Sequence, residues 1–294
     1  MIQVEPVVRV DGPAALRVDF GFAPTATSVT NFFVQQAYAT YRFGPIVAID
    51  FGRFVTIAGA EVIEAKDNWL YSRSLLFTFA IPFAHVGARA VLTFPNGVTI
   101  QAGVVNGWDD DALSPAGVAD LNGHGWVTGP QKTGMFQLAW AKGPNAASVN
   151  VYSGYPAPSE PGQNPQDVRT LVDVVLGTAV GPLALNLNGD YGAEAQRHWY
   201  GVAGMARYTF PHEVFHLSAR GEWFDDPEGF RTASLLSPIG ATSAQYYEGT
   251  VSGSYTAGAN AELRVEVRVD GSNRDVFDGK KTASTFEVAA LAWF

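Results

Sequence analysis

The chain has no cysteine. That excludes a disulfide framework, thiolate metal centres and a cysteine nucleophile. Charge is also scarce, at 16% of 294 residues, against about 25% in an ordinary soluble domain. Long apolar runs are missing too: no stretch reaches the roughly 18 residues a membrane-crossing helix needs. Without such helices, only a closed barrel satisfies every backbone group in lipid. Composition alone leaves a soluble, glycine-containing all-β protein equally open. The net charge of −9 argues against nucleic acid and weakly favours cations over anions in any pore. Neither a charged n-region nor an apolar h-region follows Met1, so no signal peptide is read here. If the chain is exported, its signal is expected to be removed or to lie upstream.

What is present is a recurring short alternation. Strands are expected at about 14–22, 32–43, 46–54, 85–94, 98–108, 132–142, 147–156, 168–180, 183–192, 198–210, 214–225, 244–256, 261–271 and 282–294. Each is near the ~9–11 residues a tilted strand needs to cross a bilayer. The period is clearest where Glu262, Arg264, Glu266, Arg268 and Asp270 alternate with Leu263, Val265, Val267 and Val269. His216, Ser218, Arg220 and Glu222 alternate in the same way with Phe215, Leu217, Ala219 and Trp223. Alternation cannot tell a sandwich with its apolar face inward from a barrel with its apolar face toward lipid.

The connections favour the barrel. Tight ones fall at Gly44-Pro45, Pro95-Asn96-Gly97, Gly143-Pro144-Asn145, Gly181-Pro182, Pro211-His212-Glu213 and Gly258-Ala259-Asn260. Long ones fall near 23–31, 55–84, 109–131, 157–167, 193–197, 226–243 and 272–281. Short and long alternate, as periplasmic turns and extracellular loops do in outer-membrane barrels, and unlike Greek-key sandwiches.

Aromatics gather at strand ends. Tyr41, Phe43, Phe94, Trp140, Tyr208, Phe210, Tyr255 and Phe294 lie toward the short turns. Phe22, Trp108, Tyr155, Tyr191, Trp223 and Tyr247 lie toward the long loops. Two interfacial girdles are the physical reading. The last strand, alternating Phe286, Val288, Ala290 and Ala292 and stopping on Phe294, has the form of the closing strand of an outer-membrane barrel. Residues 2–10 add a further strand with Pro6 in it, a residue suited to an edge or bulge. It makes the count odd, whereas bacterial single-chain barrels are even. The expected organisation is one barrel domain over 1–294 with about 14–16 antiparallel strands, an inward-folded constriction loop at 55–84 and a partial N-terminal strand at 1–13.

Four stretches carry a resemblance. They are Gln35-Gln-Ala-Tyr-Ala-Thr-Tyr41 with Asp50-Phe-Gly-Arg-Phe54; Gly59-Ala-Glu-Val-Ile-Glu64 with Asp67-Asn-Trp-Leu-Tyr-Ser-Arg-Ser74; Pro82-Phe-Ala-His-Val-Gly87 leading to Val105-Asn-Gly-Trp-Asp109; and Arg264-Val-Glu-Val-Arg-Val-Asp270 with Phe294. Together they resemble the OmpL-like family of outer-membrane β-barrel porins over nearly the whole length. The resemblance implies an outer-membrane channel for small solutes, with one or two strands before residue 14. It supplies no catalytic residues.

The longest connection, 55–84, holds Glu61, Glu64, Lys66, Asp67 and Arg73, then the apolar run Leu75–Ile81. A surface loop has no need of that run. It is expected to fold inward with a helical turn or two around 70–79, its apolar residues on one wall and its carboxylates facing basic residues opposite. A pair of short strands within 69–84 is the alternative. Candidate pore residues are Arg17, Arg53, Glu61, Glu64, Asp67, Arg73, Arg89, Arg220, Arg264 and Arg268, with Asp19, Arg207, Glu222 and Glu266 as further lumen charges. Opposed rings of charge sort solutes by charge and dipole. The bland reading is salt-bridged wall residues that keep the sheet rigid.

Other signals are weaker. Asp109–Asp111 with Asp120 and Asn122 offers oxygen ligands at no recognised spacing, so a solvated loop is preferred. Asp225-Asp226-Pro227-Glu228 is weaker still. His212 and His216 stand four apart at a turn and a strand, not on a helix. Ser72 or Ser74 with His85 lacks an orienting third group, so no enzyme is expected, and no cofactor or metal. Membrane lipid and small solutes are the expected partners, with a homo-oligomer or other outer-membrane proteins beside them, in the bacterial outer membrane. The rival reading is a structural or docking barrel subunit with a narrow or plugged lumen. A carbohydrate-binding β-sandwich is the third.

Overall fold

The computed structural model describes residues 2–4, 7–9, 12–23, 31–108, 132–155, 167–232 and 243–293. They form β1 (Ile2–Val4), β2 (Val7–Arg9), β3 (Ala14–Ala23), β4 (Asn31–Phe43), β5 (Val47–Val55), β6 (Ala84–Thr93), β7 (Val98–Val105), β8 (Thr133–Lys142), β9 (Asn145–Gly154), β10 (Arg169–Val180), β11 (Leu183–Glu194), β12 (Arg197–Thr209), β13 (Phe215–Asp226), β14 (Ala244–Thr256), β15 (Ala261–Ser272) and β16 (Thr282–Ala292). The expected strands are present, most within a residue or two at each end. No helix among the described residues is long and apolar enough to cross a membrane.

The residues group into two compact units. One comprises 1–57, 82–139 and 150–170; the other comprises 58–81, 140–149 and 171–294. In the first, β3 to β7 form an antiparallel ladder in chain order. β1 and β2 both pair with β3, Val4 opposite Phe20 and Val7 opposite Arg17. Those pairings keep a single register along β3. In the second unit, β11 to β16 continue antiparallel in chain order.

Burial resolves what alternation left open. On β15, Glu262, Arg264 and Glu266 are buried, while Leu263, Val265, Val267 and Val269 are about half exposed, at 47–51%. On β13 and β14, Ser218, Arg220, Glu222, Glu248, Thr250, Ser252 and Ser254 are buried, and Leu217, Val251 and Tyr255 are exposed. The first unit follows the same rule: Asp19, Gln35, Gln36 and Asp50 are buried, and Ile49 and Phe51 are exposed. A water-soluble sandwich would reverse this. Aliphatic side chains presented outward, with charge on the protected face, suit a lipid solvent.

Two expectations need correction. The stretch 193–197 is not a long loop. β11 and β12 stay paired to Glu194 opposite Arg197, leaving a two-residue turn in which Ala195 takes a left-handed φ of 54°. The alternation of short and long connections therefore breaks there. Trp108 is no girdle residue: it is 2% exposed, under the Arg169 guanidinium at 5.1 Å. Tyr41, Phe43, Trp140, Tyr155, Tyr191, Tyr208, Phe210, Tyr247 and Tyr255 are exposed as expected. Within 58–81 the expected helical turn forms and the alternative strand pair does not: there is a short 3-10 turn at Ala65–Asp67 and a π-helical turn at Leu76–Ala80. Phe294 lies outside the described residues, as do 109–131 with the Asp109–Asp111, Asp120 and Asn122 oxygen set.

Candidate functional site

The segment between β5 and β6 starts and ends on a ladder bond, Thr56 N–H to Phe83 C=O at 2.9 Å. Residues 58–81 belong to the second unit. Their apolar run is buried there: Leu75, Leu76, Phe77, Phe79, Ala80 and Ile81 are all under 9% exposed. Leu76 rests where Gly201 of β12 leaves room, since a Cβ on Gly201 would stand 2.9 Å from the Leu76 Cδ1. The Phe79 ring stacks on Phe224 of β13 at 6.1 Å.

The polar bonds that hold this segment run largely opposite to the expected sense. A helical turn leaves its first N–H and last C=O groups unpaired, and here the charged strand face satisfies them. Glu222 Oε1 and Oε2 accept from Leu75 N and Leu76 N at 2.7 and 3.2 Å. Glu266 accepts from Tyr71 N and Ser72 N at 2.8 and 3.0 Å. Ser74 Oγ accepts from Phe77 N at 2.9 Å. At the other end of the turn, Trp199 Nε1 donates to Ala80 O at 3.0 Å and Arg231 Nε to Phe79 O at 2.6 Å. Arg264 donates to Ala65 O and Leu70 O at 2.9 and 3.2 Å, and Arg268 to Arg73 O at 2.6 Å. Carboxylates at the N–H end and cations at the C=O end also suit the dipole of the turn. Hydrogen bonds to charged groups contribute about 1.5–3 kcal/mol each.

At the centre is Arg220, whose side chain is fully buried. Its Nη1 donates to Glu61 Oε1 at 2.9 Å and to Ser72 O at 3.0 Å. Its Nη2 reaches Ser72 Oγ at 3.2 Å. Its Nε donates to Glu248 Oε2 at 3.0 Å, and Glu222 Oε1 stands 3.5 Å away. Glu61 closes the circuit by accepting from Ser74 N at 2.7 Å. One guanidinium thus anchors three buried carboxylates, a geometry that needs its planar fork of five donors.

Of the ten candidate residues, the structure gathers Glu61, Arg220, Arg264, Arg268 and Arg73 about this segment. Arg73 donates to Ile63 O at 2.8 Å and stacks over Phe77 at 5.5 Å. Burial pushes its guanidinium below the ordinary value, while Glu61 pulls it up. Glu64 is buried and its carbonyl accepts from Asn68 Nδ2 at 2.9 Å. Asp67 does not face a basic wall. Its partner is the adjacent Lys66 at 2.8 Å, and both are solvent-exposed; neighbours in sequence meet there without crossing any space.

Arg17, Arg53 and Arg89 lie in the first unit, on strands with their own networks. Arg17 pairs with Asp19 at 2.8 Å. Arg53 Nε donates to Gln35 O at 3.1 Å. Arg89 pairs with Asp50 at 2.9 Å and lies 4.4 Å from the Phe54 ring centroid. Each of these three guanidiniums is held within its own strand network. Arg207 is half-buried on β12.

Glu248, Trp199, Arg231 and Asn188, whose Oδ1 accepts from Ala60 N at 3.2 Å, were not singled out. Glu248 was findable by parity, since it shares a face with Thr250, Ser252 and Ser254. Trp199 and Arg231 carry no such signal, because their partners are backbone carbonyls more than a hundred residues away. Asp226 is no solvated loop residue: it accepts from Phe230 N, Arg231 N and Thr232 N at 2.8–2.9 Å. Among the described residues no three His, Asp or Glu side chains are grouped to hold a metal.

Antiparallel strands of 8–13 residues from β3 to β16, an aliphatic face turned outward and a charged face that binds an inserted segment define an outer-membrane barrel of the porin class. The family model "Putative beta-barrel porin-2, OmpL-like" matches residues 10–294, and the chain belongs to that family, a porin of the bacterial outer membrane. Solved barrels share the fold. Salmonella typhi OmpF, in complex with daunomycin, superposes with TM-score 0.67 at 10% identity, covering 99% of this chain and 89% of its own. The anion-selective porin of Comamonas acidovorans gives 0.61 at 10%, covering 99% and 88%. The outer membrane channel DcaP of Acinetobacter baumannii gives 0.61 at 14%, covering 99% and 84%. No curated protein matches the chain in sequence.

Proposed function

We propose that this porin is a passive diffusion channel for small hydrophilic solutes or ions, and that 58–81 is its constriction segment within a single barrel domain spanning 1–294. The observation that carries the reading is the inverted wall. Charge that a soluble protein would give to water is spent on one protected face, and the same face grips 58–81 through Arg220, Glu222, Arg264, Glu266 and Arg268. Carboxylates and guanidiniums fixed around one segment create a field across the path a solute would take. The charged groups that would meet a solute are the most exposed ones on the segment, Lys66 and Asp67 foremost.

In planar bilayers the purified protein is expected to give stepwise ion currents; the absence of current above background would sink the channel reading. The rival, a docking barrel with a plugged lumen, draws support from the depth of burial of Leu70, Leu76, Ala80 and Ile81. The same recording decides between them.

The outward aliphatic face makes its own prediction. Val267, mid-strand on β15 and 50% exposed, would meet lipid, so Val267→Arg should cost about 2–4 kcal/mol. Refolding into lipid vesicles, read by heat-modifiable gel migration, should fall well below wild type. An unchanged yield would mean that this face does not meet lipid.

A further inference from the structure

A cavity of about 280 Å³ lies between the inserted segment and the charged face of β14 and β15, wholly within the second unit. Arg73 and Phe79 line it from the segment, Tyr246 from the start of β14, Arg268 and Asp270 from the end of β15, and Phe277 from the connection to β16. That connection is mostly exposed, yet Phe277 is half-buried. An apolar cavity of about 150 Å³ admits benzene, so this one has room for a single ring and a polar group. Rings with a few fixed charges among them are the usual lining of a small-molecule site. The charges here do not balance. Asp270 is taken by Arg268, whose Nε donates to its two oxygens at 3.0 and 2.8 Å and whose Nη2 donates at 2.6 Å. Arg73 bonds to main-chain carbonyls, Tyr71 O at 3.1 Å and Ile63 O at 2.8 Å, and no carboxylate among the described residues forms an ion pair with it. Glu61 acts on Arg73 from farther off and is bound by Arg220 at 2.9 Å. A guanidinium has five N–H donors. Arg73 uses two of them, and Arg268 uses three, one of which fixes Arg73 O at 2.6 Å.

We propose that this cavity binds a small aromatic monocarboxylate, its carboxylate on Arg73 and its ring among Phe79, Tyr246 and Phe277. Two guanidiniums against one carboxylate leave a single positive charge, which selects a monoanion over a dianion or a cation. A carboxylate takes the planar fork of arginine in paired hydrogen bonds, and the three rings favour a flat apolar body. The site is set before the ligand arrives, because the bonds of Arg268 to Asp270 and Arg73 O and those of Arg73 to its two carbonyls hold both cations in place. The inference deepens the channel reading, on which it rests for the onward passage of the solute, by naming the class of solute taken up. Binding itself is measured without any current, so the two fail separately.

The experiment uses the full chain, refolded in a non-ionic detergent and titrated with benzoate in a calorimeter against a matched detergent blank. One saturable benzoate per chain is expected. Isophthalate, inorganic phosphate and benzylamine should each bind at least tenfold more weakly. Arg73→Gln should weaken benzoate at least tenfold, and Phe277→Ala, a truncation in the connection that leaves the segment's own bonds intact, at least threefold. Asp275→Asn, an exposed carboxylate of the same connection, should bind as wild type. Heat-modifiable migration reports that each variant is folded. The proposal is overturned if folded wild type binds no benzoate, if phosphate binds as tightly as benzoate, or if either Arg73→Gln or Phe277→Ala keeps wild-type affinity. Ion current without benzoate binding would overturn this inference and leave the channel standing. Benzoate binding without current would uphold the site and sink the channel.

Discussion

Arg220→Ala should release residues 58–81 and raise single-channel conductance several-fold. The substitution removes the donors that serve Glu61, Glu248 and both oxygens of Ser72. It leaves Glu61, Glu222 and Glu248 buried, all at or below 7% exposure, with their common cation gone. Breaking a buried ion pair from one side costs about 3–5 kcal/mol, because the surviving charges cannot regain water while the segment stays in place. Lifting the segment rehydrates them, so relief and release coincide. Lys66 and Arg73 should then become trypsin sites while the barrel retains its heat-modifiable migration. Arg220→Lys should restore little, since a point charge cannot reach Glu61 and Glu248 together. Unchanged conductance and unchanged trypsin resistance in a folded Arg220→Ala would show that the other contacts hold the segment without it.

The second large effect is expected at a residue with no side chain. Gly192 of β11 lies directly opposite Trp199 of β12, and the indole covers it so closely that a Cβ at 192 would overlap the ring. Trp199 is fully buried, donates to Ala80 O at 3.0 Å, and packs against Phe230 at 5.8 Å under the Arg231 guanidinium at 5.4 Å. Gly to Ala in a strand is ordinarily neutral or mildly stabilising. Here Gly192→Ala must evict the indole, and the loss should be about 3–5 kcal/mol, as for deleting a large buried aromatic. Trp199→Phe should lose less, because it keeps much of the ring contact and gives up only the bond to Ala80. A red-shifted tryptophan emission in Gly192→Ala that is absent from the Gly192→Ala/Trp199→Phe double variant would identify the evicted ring. Equal melting of Gly192→Ala and wild type would contradict the packing.

Much of the wall was legible residue by residue. A strand repeats every two residues, so the parity of Glu262, Arg264, Glu266 and Arg268 names one face without any knowledge of neighbours. Turn chemistry at Gly143-Pro144 and Gly181-Pro182 places the ends. The misreading at 193–197 has the same root. Glu194-Ala195-Gln196-Arg197 contains no glycine or proline, and its tightness comes from Glu194 meeting Arg197 at 2.9 Å and from a left-handed Ala195. Trp108 was misplaced because position along a strand does not say which side an aromatic takes when Arg169 and Tyr152 are there to receive it.

The inserted segment was legible only in outline. Leu75–Ile81 announced that it must be buried, and Glu61 that it wanted a cation. That Glu222 and Glu266 would serve backbone N–H groups, and Arg264 and Arg268 backbone carbonyls, could not be read from the chain, because main-chain donors and acceptors are the same at every residue.

By itself, then, the sequence determined the class of solvent and the shape of the wall: scarce charge, no long apolar run and a two-residue period admit few structures in lipid. The tertiary structure alone decided which charges are spent and on what. Strands ordered by local pairing bring Arg220, Glu248, Glu222 and Glu61 to within hydrogen-bonding or ion-pair distance across 28 and 159 positions of chain. Whether a charge faces a solute, a carboxylate or a bare peptide group depends on that approach, and no local pattern encodes it.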